Sequence, residues 1–192
     1  MAKRISMLEI DDNLPAGAFL KYAHQLNPSY LDLPSLQIPW LSFHTNENFC
    51  VSWKGKQLDV LDSDHGGYEI LSDRVVAVLE ENAKEDIQLS GILLDGIPLK
   101  GYWVVIARKL VDCLDYETAA TTWVKYGQLE KVRVDEYAFD GCKLEKAQFV
   151  RCTIRAKGSA LPGPEVFAPA LSASVGRLRP HGFKLVEKPT KW

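Results

Sequence analysis

Four residues of one acidic loop have the side-chain types and the spacing of a calcium-binding loop. Positions 1, 3, 6 and 12 of such a loop are occupied by Asp62, Asp64, Gly67 and Asp73. Its fifth position holds Gly66 in place of an oxygen ligand, and its twelfth lacks the glutamate that binds calcium through two oxygens. We therefore expect an acidic surface turn here, and no metal site.

The neighbouring residues Asp64 and His65 have the types of a general acid and a general base. Adjacent residues on a loop need not face each other, however, and this pair implies no nucleophile. The sequence also contains no GxSxG, GxGxxG, Walker-loop or HExxH motif. We therefore expect no catalytic residues, no cofactor and no enzymatic activity. An uncharacterised hydrolase that uses Asp and His residues remains the alternative.

The four cysteines form no CxxC pair, and no histidine lies at zinc-finger spacing from them. The first residues, MAKRISMLEIDD, have a basic start without the apolar segment of a signal peptide. No stretch reaches the roughly 18 apolar residues of a membrane span. We therefore expect a cytoplasmic protein with no membrane partner and with reduced, partly buried thiols. The cysteines are Cys50, Cys113, Cys142 and Cys152.

Charge divides the sequence into an acidic half and a basic half. Residues 1–96 contain 7 Lys and Arg against 15 Asp and Glu, whereas residues 97–192 contain 16 against 10. Such asymmetry either marks a charged surface for a partner or is neutralised within the fold. The basic residues near the C-terminus are dispersed among predicted strands and a helix, and are not clustered between aromatic side chains. We therefore expect no nucleic-acid partner.

The pattern of apolar residues predicts more strands than helices. Six apolar residues in a row at Tyr102–Ala107 indicate a central strand that is buried on both faces. A helix with one apolar face is expected from Ser72 or Asp73 onward. Helices do not alternate regularly with strands along the chain. The expected fold class is therefore α+β, with a mainly antiparallel sheet, a few flanking helices and two lobes as one option.

Helix and turn signals also predict how the chain is divided. A helix that begins near Pro15 is predicted by the spacing of Phe19, Tyr22, Ala23 and Leu26. The Gly-, Pro- and Ser-rich residues 157–164 are expected to form a connector. A soft boundary at residues 62–72 separates an N-terminal lobe, residues 1–70, from an α+β domain, residues 71–192. The alternative is that the two form one continuous domain.

One segment carries a resemblance to a known family. Residues 111–115 read VDCLD and follow the tyrosine-led strand Tyr102–Ala107. The surrounding layout has a helix at residues 72–85 and a final Gly-Phe strand at residues 182–185. This pattern resembles a family of bacterial immunity proteins from polymorphic-toxin and contact-delivered effector systems. The resemblance covers somewhat over half of the chain.

The resemblance implies a binding protein that has no catalytic residues and neutralises one cognate toxin or effector by occluding its active site. Toxins that act on nucleic acids or nucleotides often have basic clefts, which acidic side chains can cover. We therefore expect the acidic stretch 59–73 and an aromatic segment, residues 123–126, to contribute to the binding surface. A homo-oligomer is compatible with this function. The expected partner-binding residues are Asp59, Asp62, Asp64, His65, Tyr68, Glu69, Trp123 and Tyr126.

Overall fold

A computed structural model of the chain describes residues 4–23, 39–45, 47–63 and 69–192. These residues are mainly in strands, with two α-helices, α1 (Asp73–Ala83) and α2 (Pro169–Arg177). The strands in chain order are β1 (Ser6–Ile10), β2 (Phe19–Tyr22), β3 (Trp40–His44), β4 (Ser52–Trp53), β5 (Lys56–Gln57), β6 (Val60–Ser63), β7 (Glu69–Ser72), β8 (Ile87–Leu94), β9 (Ile97–Pro98), β10 (Tyr102–Ala107), β11 (Leu110–Val111), β12 (Ala120–Tyr126), β13 (Leu129–Glu136), β14 (Phe139–Asp140), β15 (Phe149–Ala156), β16 (Ser159–Phe167), β17 (Phe183–Glu187) and β18 (Thr190–Lys191).

Six of these strands close into a barrel. The order around the barrel is β10-β7-β6-β2-β3-β8, and β8 pairs in turn with β10. Two neighbouring pairs, β2 with β6 and β3 with β8, are parallel, and the other four are antiparallel. Side chains fill the barrel interior, among them the buried residues Phe43, Leu58, Val104 and Ile106.

The second sheet brings both ends of the described chain together. Its order is β12-β13-β15-β16-β1-β17, and β11 pairs in parallel with β15. The early strand β1 therefore lies between β16 and β17, two strands from the C-terminal part. One face of this sheet packs against the barrel and both helices around Phe149 and Phe167, whose ring centroids are 5.0 Å apart. The other face carries a separate apolar cluster that includes Cys113, Val150 and Cys152.

Strand β10 explains why six apolar residues follow one another in the sequence. Tyr102, Val104 and Ile106 belong to the core inside the barrel. Val105 and Ala107 belong to the core between the barrel, the helices and the second sheet. Neighbouring strands, β7 and β8, pair with β10 on its two sides. The prediction of a central strand is therefore confirmed, and five of its six residues are buried; Trp103, which is 38 % exposed, is the exception.

The helix expected over residues 15–26 is wrong where the structure describes it. A short 3-10 turn, Ala16–Ala18, leads instead into β2, Phe19–Tyr22. Leu20 is fully buried in the barrel because pairing with β3 and β6 imposes the two-residue period of a strand. The last residue of the predicted helix face, Leu26, lies outside the described residues.

The connector expected at residues 157–164 is wrong as well, because most of it belongs to β16, which pairs with β15. The register of this pairing shifts opposite Gly163. A Cβ atom at Gly163 would lie only 2.9 Å from the carbonyl oxygen of Cys152. Glycine therefore permits the close approach of the two strands at this irregularity, and its presence does not indicate a loop.

The α+β class and the mainly antiparallel pairing are confirmed. The division into residues 1–70 and 71–192 stays a prediction. Residue 70 lies inside β7, which pairs with β6 on one side and with β10 on the other. Neither helix in the described part of the chain combines the length and the apolar character needed to cross a membrane.

Candidate protein-binding surface

Asp59, the first acid of the predicted binding stretch, is fully buried. Its Oδ1 accepts hydrogen bonds from the Ser72 hydroxyl at 2.7 Å and from Nε of Arg74 at 2.6 Å. Its Oδ2 accepts one from Nη2 of Arg74 and one, at 2.7 Å, from the backbone N–H of His181. These bonds tie the barrel to the start of α1 and to the turn after α2. This corrects the assignment of Asp59 to the binding surface, because its carboxylate serves the fold.

The ionisation of Asp59 follows from these contacts. Burial alone would raise the pKa of its carboxyl group, because a charge is poorly solvated in the interior. The hydrogen bonds from Arg74, Ser72 and His181 outweigh this effect and hold the pKa below the ordinary value of 3.8. Asp59 is therefore a charged and fully paired structural group near neutral pH.

Asp62 is partly buried in a shallow acidic pocket. Its Oδ1 accepts a hydrogen bond from the backbone N–H of Ser63 at 2.8 Å. Burial raises the pKa of Asp62. The pocket is about 270 Å³ in volume, and Asp11 and Asp12 also line it. The sequence did not predict that these two residues lie close to Asp62. Of the other expected partner-binding residues, three lie outside the described part of the chain: Asp64, His65 and Tyr68.

Glu69 belongs to a charge cluster between the barrel and the second sheet. Burial raises the pKa of both Glu69 and Glu165, and the Arg151 guanidinium offsets part of each rise. Arg151 and Glu165 are buried and lie opposite each other on β15 and β16. Oε1 of Glu165 accepts the backbone N–H of Ala107 at 3.4 Å, and Oε2 finds no hydrogen-bond donor among the described residues. Glu69 therefore takes part in an interior cluster, and neither Asp59 nor Glu69 contributes to the acidic binding surface that we expected at residues 59–73.

The aromatic residues that the sequence singled out lie on the hairpin formed by β12 and β13, residues 120–136, called here the aromatic hairpin. Trp123 is 60 % exposed and Tyr126 is 59 % exposed. Leu129, which is 40 % exposed, lies beside them on β13. Within the described residues β12 pairs only with β13, so it is an edge strand. Large apolar side chains are usually buried, and packing among the described residues leaves this group exposed.

A two-residue turn determines which side chains of the aromatic hairpin meet. Gly127 is the first residue of the turn and has a φ of 60°. Type II′ hairpin turns need this left-handed value at their first position, where glycine adopts it without steric cost. The resulting register places Tyr126 opposite Leu129 and Trp123 opposite Val132.

This register exposes apolar groups on both faces of the aromatic hairpin. Directly paired residues share a face, and alternate residues along a strand do so too. Tyr126, Leu129 and Val124 therefore lie on one face. Trp123 lies on the other face, beside the buried Val132. A partner that covered all of the exposed apolar groups would have to contact both faces.

The outer half of the aromatic hairpin is basic. Glu130 lies between two lysines, with 3.7 Å to Nζ of Lys125 and 3.2 Å to Nζ of Lys157. The ammonium group of Lys131 lies 5.5 Å from the centroid of the Tyr126 ring. Residues 123–132 together with Lys157 hold three lysines and one glutamate, a net charge of +2. This sign is opposite to the one that the sequence led us to expect for the binding surface.

Sequence reasoning selected Trp123 and Tyr126 but missed Leu129 and the lysines around them. The pair Gly127-Gln128, with glycine first, is a signal for a two-residue hairpin turn between two alternating segments. That signal would have placed Leu129 opposite Tyr126. No local pattern predicts the approach of Lys157, which comes from the next hairpin of the sheet.

An exposed histidine–carboxylate pair joins β3 to the turn after β8. Nδ1 of His44 lies 2.9 Å from Oδ1 of Asp95, and the Thr45 hydroxyl donates to Oδ2 at 2.7 Å. These hydrogen bonds hold the pKa of Asp95 below its ordinary value. A carboxylate can orient a histidine as a general base in this way. The Thr45 hydroxyl is bonded to Asp95 and not to His44, so this pair does not activate it as a nucleophile.

The described residues contain no group of three or more His, Cys, Asp or Glu side chains arranged to hold a metal ion. The four cysteines are free thiols. Cys113 and Cys152 are buried together on the face of the second sheet that lies away from the barrel. A hydrogen bond between the two side chains, together with burial, raises the pKa of the Cys152 thiol. The Cys152 thiol is therefore protonated and unreactive in the folded state.

Comparison with protein-family models gives no match for this chain, and comparison with curated proteins gives none either.

Proposed function

We propose that this chain is an immunity-type binding protein that neutralises a cognate bacterial toxin or effector by docking the aromatic hairpin against it. One observation carries the proposal: Trp123 and Tyr126 are both more than half exposed on an edge hairpin. Tryptophan and tyrosine are enriched among the residues that anchor protein interfaces. Burial of each ring on a partner contributes on the order of 2 kcal/mol. The resemblance of residues 111–115 supports a toxin as the partner.

The rest of the fold holds the aromatic hairpin at the edge of the second sheet. The hairpin is attached to the sheet where Lys131 pairs with Ala156 and where the N–H of Lys157 donates to the carbonyl of Glu130 at 2.8 Å. A preorganised anchor loses little conformational entropy on binding, which favours affinity. The toxin is inactivated when the docked protein occludes its active site. Such a function involves no catalytic step, cofactor or nucleic acid, and the protein acts in the cytoplasm of the cell that it protects.

The alternative is a hydrolase that uses Asp and His residues. The pairing of His44 with Asp95 favours it, because the carboxylate would orient the imidazole as a base. A hydrolase of this type also needs a nucleophile beside the histidine, and the nearby Thr45 hydroxyl points to Asp95 instead. Loss of a hydrolytic activity in His44→Ala, with the fold intact, would establish the alternative.

Co-expression with the protein encoded by the adjacent gene tests the proposed function. We expect the two proteins to co-purify, and we expect cells that make the neighbour to survive only when this chain is also present. The Trp123→Ala/Tyr126→Ala double variant should fold normally and fail to protect. Trp40→Ala is the matched control, because Trp40 is an exposed tryptophan on the barrel, away from the hairpin. Full protection by the double variant would remove the hairpin from the function.

A further inference from the structure

Resting on the proposed function, we infer that the toxin receives the aromatic hairpin in a cleft that has apolar walls and an acidic rim. The aromatic hairpin determines both the shape and the charge of the complementary partner surface. The signs of the charges are the reverse of the sequence-based expectation, in which acids of this chain cover a basic cleft of the toxin.

The shape follows from the two exposed faces. Tyr126 and Leu129 point to one side of the hairpin, and Trp123 points to the other. A flat partner would cover only one of these faces and leave the other in water. Two opposing walls cover both, and each wall gains an aromatic anchor. The two-residue turn at Gly127 makes the tip narrow enough to enter such a cleft.

The charge of the rim follows from the lysines around the tip. Lys125 and Lys157 both contact Glu130, so one carboxylate partly neutralises two ammonium groups. The side chains of both lysines are largely exposed. Lys131 has an aromatic ring as its neighbour. Acidic groups around the mouth of the cleft would complement this excess of positive charge and accelerate association.

Acidic side chains at the base of the aromatic hairpin favour an acidic protein over a nucleic acid as the partner. Arg133 forms an ion pair with Asp135 at 2.9 Å, and Glu136 follows as a further exposed acid. A nucleic acid that stacked on Trp123 and Tyr126 and extended along the hairpin would bring phosphates towards these carboxylates. Net positive charge is therefore confined to the tip, and this distribution suits a local acidic rim better than an extended polyanion.

Binding kinetics with the adjacent gene product test the inference, measured at low salt and at high salt. In Lys125→Ala/Lys157→Ala we expect the association rate to fall about tenfold at low salt, and we expect the difference to vanish at high salt because salt screens the charges. Lys84→Ala is the matched control, an exposed lysine after α1. Trp123→Ala and Tyr126→Ala should each raise the dissociation rate about tenfold or more, because each removes an anchor from one wall.

The outcomes separate this inference from the proposed function. If the wild-type proteins bind but the lysine variant associates at an unchanged or higher rate, the acidic rim is wrong. If only one of the two aromatic variants weakens the complex, the two-walled cleft is wrong. The proposed function survives both of these results, and it fails together with the inference if the wild-type proteins do not bind. Binding of a labelled single-stranded oligonucleotide that Trp123→Ala abolishes would identify a nucleic-acid surface and overturn the inference.

Discussion

The guanidinium group of Arg74 and the carboxylate of Asp59 form a two-point contact that fastens the first turn of α1 to the barrel. The sequence places Asp59 in an acidic stretch that is typical of a solvated surface. In the structure it is fully buried and also accepts hydrogen bonds from Ser72 and His181. Stability, and not partner binding, is therefore the property that Asp59 controls.

Asp59→Asn should destabilise the fold by about 2 to 3 kcal/mol, because it leaves Arg74 without its charged partner. Arg74 is partly exposed, so this cost is smaller than the cost of breaking a fully buried ion pair. The measurement is the free energy of unfolding in urea at neutral pH. Hydrogen bonding holds the pKa of Asp59 below 3.8, so its contribution is present above that pH and is lost as the pH falls through the lowered pKa. The difference between variant and wild type should therefore narrow in acid.

Glu80→Gln is the control for this measurement, since Glu80 is an exposed acid on the same helix, α1. It should unfold like the wild type. An Asp59→Asn protein that is as stable as Glu80→Gln would show that the contact with Arg74 contributes nothing.

Glu165→Gln should make stability less dependent on pH. In the folded protein burial raises the pKa of Glu165 above 4.5, and Glu69 nearby shows the same direction of shift. The folded state therefore retains protons that the unfolded chain releases, and wild-type stability should fall as the pH rises above that ordinary value. Glutamine cannot ionise, so the variant should lose less stability than the wild type between about pH 5 and about pH 8. Equal slopes of unfolding free energy against pH in the two proteins would contradict this.

Val104→Asp should abolish soluble expression. Val104 is fully buried inside the barrel, and its strand is paired on both sides with Ile70 and Ser90 as its neighbours. An unpaired carboxylate there costs several kcal/mol, which is comparable with the whole stability of a domain. Thr122→Asp is the control, because Thr122 is exposed on the edge strand β12. Val104→Asp protein that melts near the wild-type temperature would show that β10 is not central to the core.

Local sequence patterns predicted the helices and strands in which burial imposes a regular spacing of apolar residues. The run Tyr102–Ala107 and the start of α1 were predictable because burial on two faces, or on one helical face, leaves a signal within a few residues. The helix expected after Pro15 failed because strand pairing in the barrel overrode a helical spacing that arose by coincidence. The connector at residues 157–164 failed because glycine there permits close strand contact.

The candidate surface was predictable only in part. Trp123 and Tyr126 were recognised by residue type, because tryptophan and tyrosine are common interface anchors. The burial of Asp59 was not predictable, because its partners come from α1 and from residue 181, far away in the sequence. The same holds for the basic tip, since Lys157 reaches Glu130 only through the pairing of β13 with β15.

The affinity of this protein for the product of the adjacent gene, measured for three purified proteins, tests the central claim most directly. The wild type and Trp40→Ala should bind with equal affinity. The Trp123→Ala/Tyr126→Ala double variant should bind about 100-fold more weakly while its melting temperature stays unchanged, because both rings are exposed in the free protein. A double variant that binds as tightly as the wild type would contradict the proposal that the aromatic hairpin docks on the toxin.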